Sequence, residues 1–430
     1  MSVVVSLFMM DKQKPETGTT APSQLVVRQG NQIVIPGFAS AHSHAFQRAL
    51  RGRTQRRATT GSFWSWRGLM YQLAEKLDPE QIFNISRFAF MELAMSGVTA
   101  VGEFHYVHHQ PDGTPYDDRL ALAEAVIEAA REVGIRITLI RTAYFRGGYQ
   151  QELEPVQKRF SDPSVDKVLQ DVETLAKRYE TDPLVNVAVA AHSIRAVPIE
   201  QVKELADYSR EHAMPFHMHV AEQRREIEEC QAEYGKRPVE VLAEHGILDE
   251  NFVAIHATHL TDHEINLLGD ANAFVCLCRT TERDLGDGLP RTSDLINAGV
   301  NICVGVDSHA MSDAFEEVRA VELDERSRTE KRTVAAEAPE LLLMGTKHGF
   351  EAIGMPEVWQ QDKVCLNAQD ACLVGASDDT LADAVIYGAT LRALDQVIIG
   401  EERIVNHGMH VGYEDALKRF ETALRELYRS

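Results

Sequence analysis

From residue 33 onward the chain alternates short apolar runs with longer stretches in which apolar residues recur every three or four positions. The runs span residues 33–40, 98–104, 135–144, 185–192, 214–220, 252–256, 273–278 and 300–307. They are rich in β-branched and small apolar residues and are continuous rather than alternating. That pattern predicts strands buried on both faces, as in a parallel sheet. The stretches between them carry helix punctuation. Asp78 precedes Pro79-Glu80 as a helix cap ahead of a first-turn proline, Val197-Pro198 opens residues 199–211, and Thr261-Asp262 opens residues 263–268. Eight strand–helix units in succession predict an α/β fold, a closed (β/α)8 barrel. An open doubly wound sheet fits less well, because no G-x-G-x-x-G turn follows the first run.

After Ala335 the pattern changes. Residues 336–355 read as one more helix, residues 371–374, 382–387 and 396–399 as short strands, and residues 413–428 as a terminal helix. Residues 1–35 and 360–430 are expected to form a small β-sandwich layer with a C-terminal helix, beside a catalytic barrel of residues 36–359. Residues 1–10 are mildly apolar but lack a basic start and a small-residue cleavage site, so they read as a strand rather than a signal peptide. No apolar run approaches the ~20 residues of a membrane span.

Composition narrows the partners. With 44 Lys+Arg against 65 Asp+Glu the net charge is −21, which argues against nucleic acid, whose phosphates need clustered cations. The one basic cluster, Arg48, Arg51, Arg53, Arg56 and Arg57, reads as a solvated loop or a subunit contact. The six cysteines form no C-x-x-C pair, and Cys276 and Cys278 alternate along an apolar run. Buried free thiols of this kind suit a reducing cytoplasm.

Chemistry concentrates at the strand ends. The first run leads into His42-Ser43-His44, the fifth into His217-Met218-His219 followed by Glu222, the sixth ends on His256, and the eighth on Asp307-Ser308-His309. In a (β/α)8 barrel the C-terminal ends of all strands meet at one mouth, so these residues converge. His42, His44, one fifth-strand histidine and Asp307 make a three-nitrogen, one-oxygen set suited to zinc with a position left for water. His217 and His219 alternate to the same face, and the spacing leaves both open; Glu222 at the strand exit favours His219. His105, His108, His109, His245, His259 and His309 read as structural.

These segments resemble the amidohydrolase superfamily: PGFASAHSHAFQR at the first strand, HMHVAE around His219, IHATH around His256 and GVDSH around Asp307. More narrowly, SFWSWRGLMY (62–71), EFHYVHH (103–109), HSIRAV (192–197) and LGDG (285–288) resemble the formimidoylglutamate deiminases, which convert N-formimino-L-glutamate to N-formyl-L-glutamate and ammonia in histidine degradation. The resemblance implies one divalent metal, usually zinc, on His42, His44, His219 and Asp307. It implies a catalytic trio of Glu222, His256 and Asp307. Asp307 would take a proton from the attacking water, His256 would hold and polarise its oxygen, and Glu222 would protonate the departing nitrogen. Gln47, Tyr106 and His192 match pocket-lining positions. Arg67 and Arg195 are the candidates for the two substrate carboxylates, because guanidinium forks match carboxylates. A homodimer in the cytoplasm is also implied.

Trp64 and Trp66 read as a packed, partly buried loop. Thr281-Glu282-Arg283-Asp284 departs from the T-E-A-N of that group, and Cys278-Arg279 stands where it carries no charge. These side chains would either reach the pocket rim or pair with neighbouring acids. Two other functions compete: an aminohydrolase acting on a purine or pyrimidine ring, and a catalytically inactive scaffold.

Overall fold

A computed structural model describes residues 25–55 and 63–429. The strand expected over residues 1–10 lies outside them, as do Arg56 and Arg57. The chain enters through an antiparallel hairpin of β1 (Val27–Gln29) and β2 (Gln32–Pro36), then passes into β3 (Phe38–Ser43). The first expected strand, 33–40, is therefore two strands in two sheets. Gly37 marks the crossing: a Cβ there would sit 2.2 Å from Thr99 Oγ1, so only glycine admits so close an approach.

β3 begins an eight-stranded parallel sheet. It continues through β4 (Val98–His105), β5 (Arg136–Ala143), β6 (Val185–Ser193), β7 (Phe216–Val220), β8 (Phe252–His256), β9 (Phe274–Leu277) and β10 (Asn301–Val304). All eight expected runs coincide with these strands, the first only in part. The sheet closes through a parallel bridge from Ser43 to Asp307. Asp307 N–H donates to His42 O at 3.1 Å, and His44 N–H donates to Asp307 O at 2.9 Å. Gly305 permits this contact, since a Cβ there would lie 2.8 Å from the His42 carbonyl oxygen. Closure thus welds together the two strand ends richest in candidate chemistry.

The expected helix starts appear at Pro79–Ala94, Ile199–Glu211 and Asp262–Asp270. Asp78 caps the first by accepting from Gln81 N–H at 2.8 Å, and Thr261 caps the third through Glu264 N–H at 3.3 Å. Helix Pro79–Ala94 buries Ile82, Ile85, Phe88 and Leu93. Each such side chain contributes roughly 1.5–3 kcal/mol on leaving water.

The segment 336–355 is not one helix but two, Ala338–Gly345 and Lys347–Ala352. The break is at Thr346, with φ −123° and ψ −95°. Its hydroxyl takes the Leu342 carbonyl at 2.7 Å, and its N–H turns to Leu343 O at 3.2 Å.

The terminal segments build one six-stranded antiparallel sheet. β11 (Lys363–Asn367), β12 (Leu394–Ile399), β13 (Glu402–Asn406) and β14 (Met409–His410) follow β1 and β2 in the order β1-β2-β11-β12-β13-β14. Of the expected late strands only 396–399 is one. Residues 371–374 form a turn held by Cys372 N–H on Asp370 Oδ1 at 3.0 Å, and 382–387 are helical. Buried Asp362 joins sheet to barrel: it binds Arg136 through two 2.9 Å bonds and accepts from Gly400 N–H at 2.9 Å.

Within the basic cluster, Arg48 and Arg51 are half-buried rather than solvated, while Arg53 is exposed. Arg48 and Arg51 both pair with Glu92, Arg51 Nε donates to His309 O at 2.7 Å, and Arg53 lies 4.2 Å over the Tyr428 ring. Among the described residues no helix is long and apolar enough to cross a membrane. The six cysteines are all free, and all but Cys372 are buried.

Candidate active site

Strand ends place four donors around one point. His42 Nε2 lies 3.2 Å from His219 Nε2, and His42 Nε2 and His44 Nε2 are each 3.5 Å from Asp307 Oδ1. All four residues are buried. His44 Nδ1–H donates to Phe104 O at 3.0 Å and His219 Nδ1–H to His192 O at 2.9 Å. Those bonds fix the tautomer and leave each Nε2 lone pair facing the shared point. Burial lowers His44 to about 3 and pushes His42 and His219 well below the usual histidine range, so the rings are neutral ligands. Burial raises Asp307 to about 6, against the opposing pull of His256. Neutral imidazoles with aimed lone pairs beside a carboxylate suit a divalent metal.

The backbone here is under strain. His256 has φ +70°, Asp307 +53° and His309 +54°, all in the left-handed region. Each such residue costs about 1–3 kcal/mol and tends to cluster at functional sites.

His256 stands between two acids. Its Nε2 is 3.7 Å from Asp307 Oδ2, and its Nδ1 is 3.2 Å from Glu282 Oε1. Burial alone would strip its proton, but Glu222, Glu282 and Asp307 together raise it to about 10. The ring is therefore a cation with two N–H donors. Glu222 shows the opposite shift. Withdrawal from solvent, and repulsion from Asp287, Asp307 and Glu226, hold its proton well above the usual carboxylate range. Glu222, His256 and Asp307 thus share protons across one pocket: the acids' charge holds a proton on the ring, and burial and mutual repulsion hold the carboxyls up.

An open cleft of about 760 Å³ lies over this group, and Gln47, Arg67, Tyr106, His192 and Arg195 all line it. Gln47 Nε2 donates to Tyr106 Oη at 3.2 Å. Arg67 lies 4.6 Å over the Trp64 ring, and Arg195 Nη1 reaches Tyr144 Oη at 3.4 Å. Trp64 and Trp66 are not in a packed loop: both lie on helix Phe63–Ala74 and line the cleft.

The profile of the amidohydrolase family matches residues 33–358. The chain belongs to that family. This amidohydrolase is a hydrolytic enzyme acting on C–N bonds. It is 33% identical to formimidoylglutamate deiminase of Pseudomonas aeruginosa over 92% of this chain and 89% of that one. A crystal structure of an amidohydrolase from Brucella melitensis superposes with a TM-score of 0.86 at 31% identity, covering 94% of this chain and 96% of that one. An adenosine deaminase from Xanthomonas campestris with bound zinc shares the fold, with a TM-score of 0.76 at 20% identity over 92% of this chain and 85% of that one.

In this amidohydrolase His219, not His217, joins the cluster. His217 Nε2–H donates to Ala352 O at 2.8 Å instead. His309 reaches the group only through Ser43 Oγ, at 2.9 Å. The charged departures after β9 pair internally. Arg279 is buried on Glu282 and Asp324, Arg283 binds Asp324 and Glu316, and Asp284 accepts from Gln55. Glu282 was legible only as part of that motif; its place behind His256 comes from helix Arg279–Leu285 folding back over β8. His256, Cys278 and Glu282 are close enough to suggest a second metal cluster. Arg279 already neutralises Glu282, and burial keeps the Cys278 thiol protonated, so the group is a hydrogen-bonded support.

Proposed function

We propose that this amidohydrolase hydrolyses the C=N bond of N-formimino-L-glutamate, giving N-formyl-L-glutamate and ammonia. The observation that carries the reading is the pair of arginines over the acid group. Arg67 and Arg195 line the cleft, and neither forms an ion pair among the described residues. Two guanidinium groups whose contacts are neutral suit the two carboxylates of a linear dicarboxylate.

His42, His44, His219 and Asp307 would hold one divalent ion, taken here as zinc. Such an ion supplies Lewis acidity and makes hydroxide available near neutral pH. The chain's own groups do the rest. Asp307 accepts a proton from water as its oxygen bonds to the formimino carbon. The His256 imidazolium holds that oxygen by an N–H donor. Glu222 gives its proton to the imine nitrogen, making the tetrahedral carbon that bears OH and NH2. The proton taken by Asp307 then passes to that NH2, so the C–N bond breaks with ammonia rather than amide ion as the leaving group. The hydroxyl proton returns to Glu222, which leaves the formyl group and restores both acids.

Ammonia release from N-formimino-L-glutamate by zinc-loaded protein tests the reading. No turnover, beside turnover of an aminopurine or aminopyrimidine, overturns it in favour of a ring aminohydrolase. Less than about half an equivalent of bound zinc after reconstitution would instead favour the inactive scaffold. We take the enzyme to act in the cytoplasm as a homodimer, which light scattering of the purified chain checks.

A further inference from the structure

Behind the two arginines stands a fully buried glutamine that none of the roles above uses. Gln157 sits in the turn Pro155–Arg159. Its Oε1 accepts the Glu154 N–H at 2.7 Å, which fixes which way the amide points. Its Nε2 therefore faces Tyr144 Oη at 2.9 Å, Tyr71 Oη at 3.1 Å and Gly147 O at 3.2 Å. An amide nitrogen only donates, so one of its two hydrogens goes to Gly147 O and the two phenol oxygens share the other as acceptors. Tyr144 Oη faces a second donor, Arg195 Nη1, at 3.4 Å. Each phenol hydrogen must then point elsewhere, and no protein acceptor for either lies among the described residues. Both tyrosines line the cleft beside Arg67 and Arg195. Burial, reinforced by Tyr144, raises Tyr71 above the ordinary phenol value, so it stays a donor.

We infer that Tyr71 and Tyr144 are specificity-determining residues whose hydroxyls, aimed into the cleft by Gln157, donate to a carboxylate of the substrate beside Arg195. This rests on the dicarboxylate reading above and adds two neutral donors to its two cations. The preference follows from the chemistry. A carboxylate offers only acceptors, whereas a ring amide or amine would bring its own N–H donors against Arg67, Arg195, Tyr71 and Tyr144, which all donate. Gln157 is a positioning residue, since it acts through the phenols.

The test is calorimetric binding of glutarate to the zinc-loaded full chain, run beside turnover of N-formimino-L-glutamate. Tyr71→Phe and Tyr144→Phe should each weaken glutarate about tenfold, the worth of a hydrogen bond to a charged group. In kinetics KM should rise by more than kcat falls. Gln157→Glu keeps the size and the Glu154 acceptor but offers oxygen to the phenols, capturing their hydrogens. It should weaken glutarate further than Gln157→Met, which neither donates nor captures. A packing role alone would reverse that order. If Gln157→Glu fails to fold, the two tyrosine variants still decide. Unchanged glutarate affinity in both, or no glutarate binding by the wild type, overturns the inference. Glutarate binding that depends on the tyrosines without turnover of N-formimino-L-glutamate would instead leave the clamp standing and sink the substrate assignment.

Discussion

Glu282 Oε1 lies 3.2 Å from His256 Nδ1, while Asp307 Oδ2 lies 3.7 Å from Nε2 of the same ring. The imidazolium is held between two carboxylates, and only one of them belongs to the metal-type cluster. Glu282 is itself tied down, accepting Cys278 N–H at 2.9 Å and pairing with Arg279. Its carboxylate orients the ring and helps hold the second proton.

Glu282→Gln should therefore act on His256 rather than on binding. Residues that support a catalytic histidine in this way typically account for about 10- to 100-fold in activity. The expected result is a kcat loss of that order with little change in KM. His256 stands at about 10 partly because of Glu282, so the alkaline limb of the pH–rate profile should move to lower pH. Steady-state kinetics across pH would show it. An unshifted limb would mean that Glu282 serves only Arg279.

The two fifth-strand histidines separate by metal content. His219→Ala removes a donor whose Nε2 faces the shared point, so zinc after reconstitution and dialysis should fall far below one equivalent. His217→Ala leaves a cavity and the Ala352 carbonyl without its donor, at a cost of about 2–3 kcal/mol. It should melt earlier yet hold its zinc. Elemental analysis beside thermal melts distinguishes the two, and equal zinc in both variants would count against the ligand assignment.

The dicarboxylate reading makes the arginines costly to lose. Arg67→Met and Arg195→Met keep most of the apolar stem and remove the charge. Each forfeits charge-assisted bonds worth about 1.5–3 kcal/mol, so kcat/KM for N-formimino-L-glutamate should fall roughly 10- to 150-fold. Arg195 also supports Tyr144, so its variant should be the worse of the two. A loss below threefold in both would remove the basis for a doubly anionic substrate.

How much of this could be read from the chain depends on which force wrote it. The barrel strands were legible because a parallel strand covered on both faces runs nearly continuously apolar, as in β8 and β9. The small sheet hides this signal: β13 reads Glu402-Arg403-Ile404-Val405-Asn406, with only its third and fourth residues buried. Residues 382–387 look like a strand, but a short apolar run does not distinguish strand from helix, and it packs there as helix. The metal-type cluster was legible because barrel topology forces strand ends together. Glu282 and Gln157 were not, since each reaches the site from a turn or helix whose path no local pattern specifies. Trp64 and Trp66 failed for the same reason: the cleft they line is made by distant loops.

Buried Glu317 offers a test of stability that stands apart from the chemistry. It accepts Thr280 N–H at 3.2 Å and the Thr280 hydroxyl, pinning helix Ala314–Thr329 to the start of helix Arg279–Leu285. Burial raises its carboxyl to about 8 from a usual 4.5, more than the Thr280 bonds lower it. Between those values the folded chain keeps a proton that the unfolded chain has released. Stability must then fall as pH rises through this window, by up to roughly 1.4 kcal/mol per pH unit from this group. Below about 4.5 both states are protonated and the effect is absent. Glu317→Gln keeps an oxygen for Thr280 and cannot ionise. Its melting temperature should match the wild type near pH 5 and exceed it increasingly toward pH 8. Other buried acids titrate in both proteins, so the difference between the two curves isolates Glu317. Parallel curves would place its folded value near the ordinary one, with solvent reaching the carboxyl.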